Sequence, residues 1–121
     1  SDGYFNFENN CIGSKLAAHR LSRTDYELFT EDELSQVRCV SSLPHQQTDI
    51  VNAAGREWRL VLMIPFSLLG LEAAPQSLNC NFYKCGDETP IPHFGMWAPI
   101  DLEAPDFHRP EFFGKLIIGE V

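Results

Sequence analysis

The chain has 121 residues, which is room for one domain, and 44% of them are hydrophobic, a globular rather than a disordered composition. Nine basic against 17 acidic residues give a net charge of −8, so the surface repels phosphate groups, and we expect neither nucleic acid nor an anionic membrane as a partner. The longest apolar stretch, residues 60–65, is far short of a membrane span. Residues 1–4 include neither a basic nor an apolar region, so we do not expect a signal peptide in this sequence.

Alternating apolar and polar residues predict short strands through the first half of the chain. In the first of these strands, Phe5 and Phe7 point one way and the intervening polar side chains point the other way. Thr30 and Glu33 have the spacing of a capping box, which predicts a short helix that ends at about residue 37. The strands predicted in this half cover residues 4–9, 14–22, 38–43 and 57–64, and a polar loop covers residues 45–55.

Strands and turn signals also alternate in the second half. Pro65 begins a single helical turn, residues 66–69, which Gly70 closes. Further strands are predicted at residues 78–85 and 115–118, whereas residues 90–110 hold five prolines and should be irregular or edge structure. The alternation in 78–85 places Cys80 and Phe82 on the core face, and Asn81, Tyr83 and Cys85 on the other face. This pattern predicts an all-β fold, an antiparallel β-sandwich of the immunoglobulin-like or jelly-roll-like kind with one or two short helices.

No two of the four cysteines form a CxxC pair, which argues against zinc ribbons and thioredoxin-like redox centres. They are Cys11, Cys39, Cys80 and Cys85. On one extended strand Cys80 and Cys85 would face opposite sides, so they cannot pair with each other there. We interpret all four as small, buried apolar side chains. The alternative is a disulfide between Cys11 and Cys39.

No catalytic constellation is visible. The sequence has no GxSxG nucleophile elbow, no phosphate-binding glycine loop and no HExxH, and its four histidines lack metal-ligand spacing. Glycoside hydrolysis needs two carboxylates that meet in space. Because the chain has 17 acidic residues, the presence of two of them in the sequence does not indicate such a site. We therefore predict no catalytic residues.

Residues 93–113 combine prolines with five aromatic residues, Phe94, Trp97, Phe107, Phe112 and Phe113. Phe112 and Phe113 precede the last strand and are expected to close the end of the sandwich. Trp97 suits either the core or a binding site. Phe107 lies between Asp106 and His108 in a polar loop, which favours exposure. A rigidly held ring beside polar groups suits a sugar, whose apolar face stacks on the ring while its hydroxyls form hydrogen bonds.

Several segments together resemble the family 9 carbohydrate-binding modules, and in particular the family-9-like modules common in Bacteroidetes. The matching segments are YFNFENNCIG (4–13), NFYKCGD (81–87), PHF (92–94), WAP (97–99) and PDFHRPEFFG (105–114). The junction of strand and turn between Trp58 and Pro65 is also typical of the family. The resemblance covers nearly the whole chain.

The resemblance implies a β-sandwich that binds a mono- or oligosaccharide between two stacking tryptophans, with calcium supporting the fold. Phe107 occupies the position of the second stacking tryptophan. Asn81 and Tyr83 fall at polar positions of the ligand-side strand, and Asn6 falls where an arginine contacts sugar. Trp97 completes the set of candidate sugar-binding residues. The first stacking tryptophan belongs to a segment upstream of Tyr4, so the chain is expected to be the C-terminal part of a longer family domain.

Such modules accompany xylanases and other glycoside hydrolases in polysaccharide breakdown, which implies a periplasmic, cell-surface or secreted location. The exposed strand edges of a shortened sandwich predict a homo-oligomer that covers them. Two alternatives to sugar binding remain open. The chain could be part of a glycoside hydrolase, such as an endo-xylanase acting on plant or host glycans. It could also be a haem-binding relative, with Met63 or Met96 and His93 as axial ligands.

Overall fold

The computed structural model describes residues 3–43 and 57–119. The chain divides into two compact units, Ser1–Glu72 and Ala73–Val121. Strands pair antiparallel throughout the described ranges, and helix is limited to one short α-helix and two 3-10 turns. The predicted all-β, sandwich-type class is therefore confirmed. Within those ranges, no helix has the length and apolar character needed to cross a membrane.

The first unit begins with a three-stranded antiparallel sheet. Its strands are β1 (Tyr4–Asn9), β2 (Lys15–Arg20) and β3 (Tyr26–Leu28), in that order. The predicted first strand thus has its expected bounds, and the second is shorter than expected. On one face of the sheet, the rings of Phe5 and Phe7 pack edge-on against Phe29, with centroids 6.1 and 5.6 Å apart, respectively. This is the aromatic face predicted from the alternation in β1.

The helix α1 (Glu31–Gln36) has the predicted capping box, in which the Glu33 N–H donates to the Thr30 hydroxyl and the Thr30 N–H donates to the Glu33 carboxylate. A two-stranded ribbon follows, β4 (Arg38–Ser41) paired with β5 (Leu60–Met63). Both strands are shorter than predicted. The predicted loop at 45–55 lies outside the described residues. The 3-10 turn Phe66–Leu69 then ends, as predicted, at Gly70, whose φ of 70° suits glycine.

The second unit contains two further ribbons. Strand β6 (Ser77–Cys80) pairs with β9 (Gly114–Ile117), and β7 (Tyr83–Gly86) pairs with β8 (His93–Met96). The proline-containing stretch is irregular apart from β8 and a 3-10 turn at Pro110–Phe112. The last strand lies within one residue of its predicted position.

The single strand predicted at 78–85 is wrong, because Asn81 and Phe82 separate β6 from β7. The Asn81 side chain accepts a hydrogen bond from the N–H of Phe82 (2.9 Å), a local bond that competes with a strand ladder. Consequently Cys80 and Phe82 do not share a core face. Phe82 is 57% exposed and does not fill the core, contrary to the prediction.

All four cysteines are free, so the alternative Cys11–Cys39 disulfide is not formed in the structure. Cys11, Cys39 and Cys80 are half-buried, whereas Cys85 is exposed. The prediction of four buried thiols is therefore wrong for Cys85, whose place in the short β7–β8 ribbon leaves it uncovered. Burial raises the pKa of the Cys80 thiol above its ordinary value.

Candidate functional site

The β7–β8 ribbon has two chemically different faces, which the strand register separates. Tyr83 is paired with Met96, and Cys85 with Phe94. Because directly paired residues point to the same side, these four side chains form one face, which we call the cleft face. The opposite side, here called the Trp97 face, consists of Phe82, Lys84, Gly86, His93, Gly95 and Trp97.

A cleft of about 140 Å³ opens on the cleft face. Its walls are mostly apolar, with two carboxylates among them. The residues that line it are Phe94, Met96, Ile100, Leu102, Glu103, Ala104, Pro105, Asp106 and Phe107. Every one of them belongs to the second unit, and all but Phe94 and Met96 come from the proline-containing loop after β8.

Phe107 is held in this wall by stacking on Tyr83. The two ring centroids are 4.3 Å apart and the ring planes differ by 11°. Phe94 approaches Phe107 at 68°, with the centroids 6.1 Å apart. Phe107 is half-buried rather than fully exposed as its polar neighbours suggested, because these two rings cover part of it.

The loop around Phe107 is pinned by its own polar groups. One carboxylate oxygen of Asp106 accepts from the N–H of His108 (3.0 Å), and the other lies 3.8 Å from the Arg109 guanidinium. Arg109 also donates to Glu111 (2.7 Å). At the start of the loop, the Ile100 N–H donates to the sulfur of Met96 (3.1 Å). These bonds hold Phe107 against the cleft without regular secondary structure.

Asn81 is tied into the backbone. Its Nδ2 donates to the carbonyl of Ala98 (2.9 Å), and its Oδ1 accepts from the Ala98 N–H (2.8 Å) as well as from the Phe82 N–H. The carboxamide therefore connects the end of β6 to the segment after β8, and both oxygen lone pairs are used. Whether its remaining N–H also reaches a sugar stays a prediction.

Trp97 lies on the opposite side of the ribbon from Phe107. Its indole contacts Phe82 edge-on, at 5.6 Å between centroids and 65° between planes. It also lies so close to Gly114 that a Cβ there would be 2.8 Å from the indole ring. The structure thus brings Phe107 and Tyr83 together and separates Trp97 from them.

The sequence model of carbohydrate-binding family 9 matches residues 1–118. This chain belongs to carbohydrate-binding family 9. Its structure is similar to the crystal structure of a proposed carbohydrate-binding protein from Bacteroides uniformis, with 34% sequence identity and a TM-score of 0.78. The similarity covers 97% of the present chain and 55% of that protein's chain, so the present chain spans about half its length. A comparison with curated proteins finds no match.

In this family 9 module, Asn6 belongs to a polar cluster of the first unit. Its Oδ1 accepts from Nε of Arg20 (2.6 Å), and its Nδ2 donates to Glu8 (2.9 Å). Arg20 is only 7% exposed and lies over the ring of Tyr26, 4.2 Å from its centroid. Sequence reasoning missed Arg20, although the pairing of β1 with β2 puts it on the same face as Asn6. The grouping of Asn6 with Phe107 stays a prediction.

The calcium that the family resemblance implied stays a prediction. Among residues 3–43 and 57–119, no three His, Cys, Asp or Glu side chains are placed to hold a metal ion. The haem alternative loses its Met96–His93 pair, because those two side chains lie on opposite faces of the β7–β8 ribbon. Met63, the other methionine of that alternative, is 42% exposed at the end of β5.

Proposed function

We propose that this family 9 module binds a mono- or oligosaccharide in the cleft beside Phe107, whose ring contacts the apolar face of one sugar residue. The setting of Phe107 supports this assignment. The ring is stacked on Tyr83, held by a pinned loop and placed in the wall of a cleft. A pre-positioned aromatic ring loses little conformational freedom when a sugar stacks on it.

The polar groups of the cleft suit hydroxyl groups. Glu103 lines the cleft and brings a carboxylate, which accepts hydrogen bonds from sugar hydroxyls, whereas both oxygens of Asp106 already face His108 and Arg109. None of the nine residues that line the cleft is basic. The cleft therefore offers acceptors and an apolar wall but no counter-charge for an anionic ligand.

The size of the cleft predicts weak binding of a short ligand. Its volume of about 140 Å³ is below the roughly 300–1,000 Å³ typical of sites for drug-sized ligands, so it suits one sugar residue. Stacking contributes about 1 kcal/mol, and each hydrogen bond contributes a similar net amount. A total of about 4 kcal/mol corresponds to a dissociation constant in the millimolar range.

We further propose that the module has no glycosidase activity of its own, and that it serves a glycoside hydrolase, such as a xylanase, in polysaccharide breakdown outside the cytoplasm. Asp106 supports the first part, because its carboxylate already caps the His108 N–H and faces Arg109, which is a structural role. Incubation with xylan and aryl glycosides should release no more sugar than buffer does. Release that disappears when Glu103 or Asp106 is replaced would contradict this proposal.

The test of the binding site is an NMR titration of the full chain with xylose, glucose and cellobiose. We expect the largest amide shifts at residues 83, 94 and 103–107. Phe107→Ala should abolish the shifts, and Phe107→Trp should strengthen binding because indole offers a larger stacking surface. Ile117→Ala is the control, since Ile117 is 66% exposed on β9 and does not line the cleft.

Two results would overturn the assignment. One is a cluster of shifts in another part of the chain. The other is unchanged binding by a folded Phe107→Ala variant.

Self-association of the module is also a proposal. The β4–β5 ribbon leaves apolar side chains uncovered, with Val40 44% and Val61 55% exposed directly opposite each other. A second copy of the chain covering this ribbon would remove them from water. Light scattering that shows a monomer at high protein concentration would contradict this.

A further inference from the structure

The Trp97 face carries an exposed aromatic pair that the cleft does not use. Trp97 is 50% exposed and Phe82 is 57% exposed, although their rings contact each other edge-on. The N–H of Trp97 donates to the carbonyl of Phe82 (2.9 Å), so the pair continues the β7–β8 ladder by one more step. Because the indole is half-exposed and its backbone is hydrogen-bonded, its ring offers a surface on which a ligand can stack.

Next to this pair on the same face lies Gly95, which has no side chain to cover the backbone. Gly95 is paired with Lys84, and a Cβ built on Gly95 would meet only the Lys84 Cβ, at an ordinary 3.6 Å. Residues two apart on a strand are separated by about 6.6 Å, so Gly95 leaves an open position about one sugar ring wide beside Trp97. Beyond it, the His93 ring lies directly over Gly86 and closes the far end.

A positive charge borders the open position. The Lys84 ammonium contacts Nε2 of His93, while Nδ1 of His93 lies 2.9 Å from the carbonyl of Ile91. An ammonium group only donates, so Nε2 of His93 accepts from Lys84. Nδ1 then carries the hydrogen and donates it to the Ile91 carbonyl. The imidazole therefore orients the ammonium without neutralising it.

Among the described residues, no carboxylate lies within ion-pair distance of this charge. In the described ranges, the ion pairs within 4.0 Å belong to Arg20 and Arg109, and none involves Lys84. Lys84 shares this lack of a carboxylate partner with other basic residues, but it is the one that lies on the Trp97 face. The Trp97 face thus offers an aromatic ring, an open floor and an unpaired cation, in that order along the ribbon.

We propose that the Trp97 face is a second saccharide site, selective for a uronic acid residue. The sugar ring lies over Gly95 and against Trp97, and its carboxylate pairs with the Lys84 ammonium. This site rests on the carbohydrate-binding role of the family but not on the Phe107 cleft. Since the cleft has no basic lining residue, the two faces of one ribbon distinguish neutral from acidic sugars.

The test compares titrations of the full chain with trigalacturonate and with neutral xylotriose, followed by NMR. We expect trigalacturonate to shift the amides of residues 82, 84, 95 and 97 and to bind about fivefold more tightly than xylotriose at this face in low salt, the scale of an exposed ion pair. High salt should remove the preference, because an exposed charge pair is screened.

Three variants make the outcome specific. Lys84→Gln should remove the preference for the uronate but not the stacking, and its exposed position protects the fold. Lys115→Gln, which removes another exposed positive charge, on β9, should leave the preference intact. Phe107→Ala should abolish xylotriose shifts in the cleft and leave the uronate shifts at the Trp97 face unchanged.

Equal effects of Lys84→Gln and Lys115→Gln would overturn the uronate site, because the attraction would then be a property of the whole surface. Trigalacturonate shifts confined to the cleft would overturn it as well. Normal xylotriose binding in the cleft together with either of these results would leave the proposed function standing. If neither sugar shifts any amide signal of the folded wild-type chain, both proposals are contradicted.

Discussion

Phe107 lies flat on Tyr83, with ring centroids 4.3 Å apart and planes 11° apart. Two residues predicted as separate sugar contacts are thus in direct contact with each other. Tyr83 belongs to a strand and Phe107 to an irregular loop, so the stack transfers the rigidity of the strand to the loop. Tyr83 therefore supports the ring that lines the cleft.

The first prediction concerns the energy of this stack. In a double-mutant cycle of Tyr83→Leu and Phe107→Leu, we expect a coupling free energy of about 0.5–1.5 kcal/mol, because an aromatic pair is worth that much beyond its buried area. Urea denaturation of the wild type, both single variants and the double variant gives this number. The cycle of Tyr83→Leu with Ile117→Ala is the control and should show additivity, and a similar coupling in both cycles would disprove a specific stack.

The second prediction separates the structural role of Asn81 from any role in sugar binding. Asn81→Asp keeps the oxygen that accepts from the Ala98 N–H but replaces the donor that faces the Ala98 carbonyl. We expect a loss of about 1–3 kcal/mol in the free energy of unfolding at neutral pH, the cost of an unsatisfied pair of partly buried acceptors. The loss should shrink at acidic pH, since a protonated carboxyl group donates.

Urea denaturation of Asn81→Asp across the pH range measures this change. Asn79→Asp is the matched control, because Asn79 is exposed on β6 and lacks these bonds. If both variants lose stability equally at neutral pH, the added charge rather than the missing donor is responsible.

The third prediction concerns the contact between Gly114 and Trp97. In Gly114→Ala the new methyl group would lie 2.8 Å from the indole ring and 3.1 Å from the Ala98 side chain, so the indole must move. We expect a cost of about 1–3 kcal/mol, as for overpacked sites, and a changed emission spectrum of Trp97. The measurement uses a Trp58→Phe background, in which Trp97 is the remaining tryptophan.

Gly119→Ala serves as the reference for this variant, because a Cβ at Gly119 meets nothing within 4 Å. An unchanged Trp97 spectrum in Gly114→Ala would show that the indole does not pack on β9.

The fourth prediction is a pH dependence of stability from the capping box. Hydrogen bonds from the Thr30 N–H and, to a smaller extent, from the Thr30 hydroxyl lower the pKa of Glu33 below its ordinary value of 4.5. The folded state therefore binds fewer protons than the unfolded state. The stabilisation by Glu33 is fully present above pH 4.5 and is lost as the pH falls through the lower pKa of the folded state.

Acid titration of unfolding free energies should thus show a weaker dependence in Glu33→Gln than in the wild type. Glu31→Gln removes a charge from the same turn but leaves the bonds to Thr30 in place, and it should keep that part of the acid dependence. Parallel curves for Glu33→Gln and the wild type would rule out the contribution.

The sequence by itself determined the elements whose cause is local. The capping box of Thr30 and Glu33 and the turn that Gly70 closes each depend on residues three or four positions apart. The strand Tyr4–Asn9 follows from alternation within six residues. Family membership was also readable, because the motif around Phe107 is a matter of residue identity and order.

Only the tertiary structure decided what depends on partners far along the chain. The Asn81 carboxamide, whose local bond to Phe82 interrupts the predicted strand, is also bound to the backbone of Ala98, 17 residues away, and the sequence near Asn81 does not indicate that partner. Trp97 does not line the cleft beside Phe107, because in the register of β7 with β8 alternate residues point to opposite faces. Pairing between strands is set by contacts that local propensity does not contain, so shifting the register by one residue would exchange the two faces.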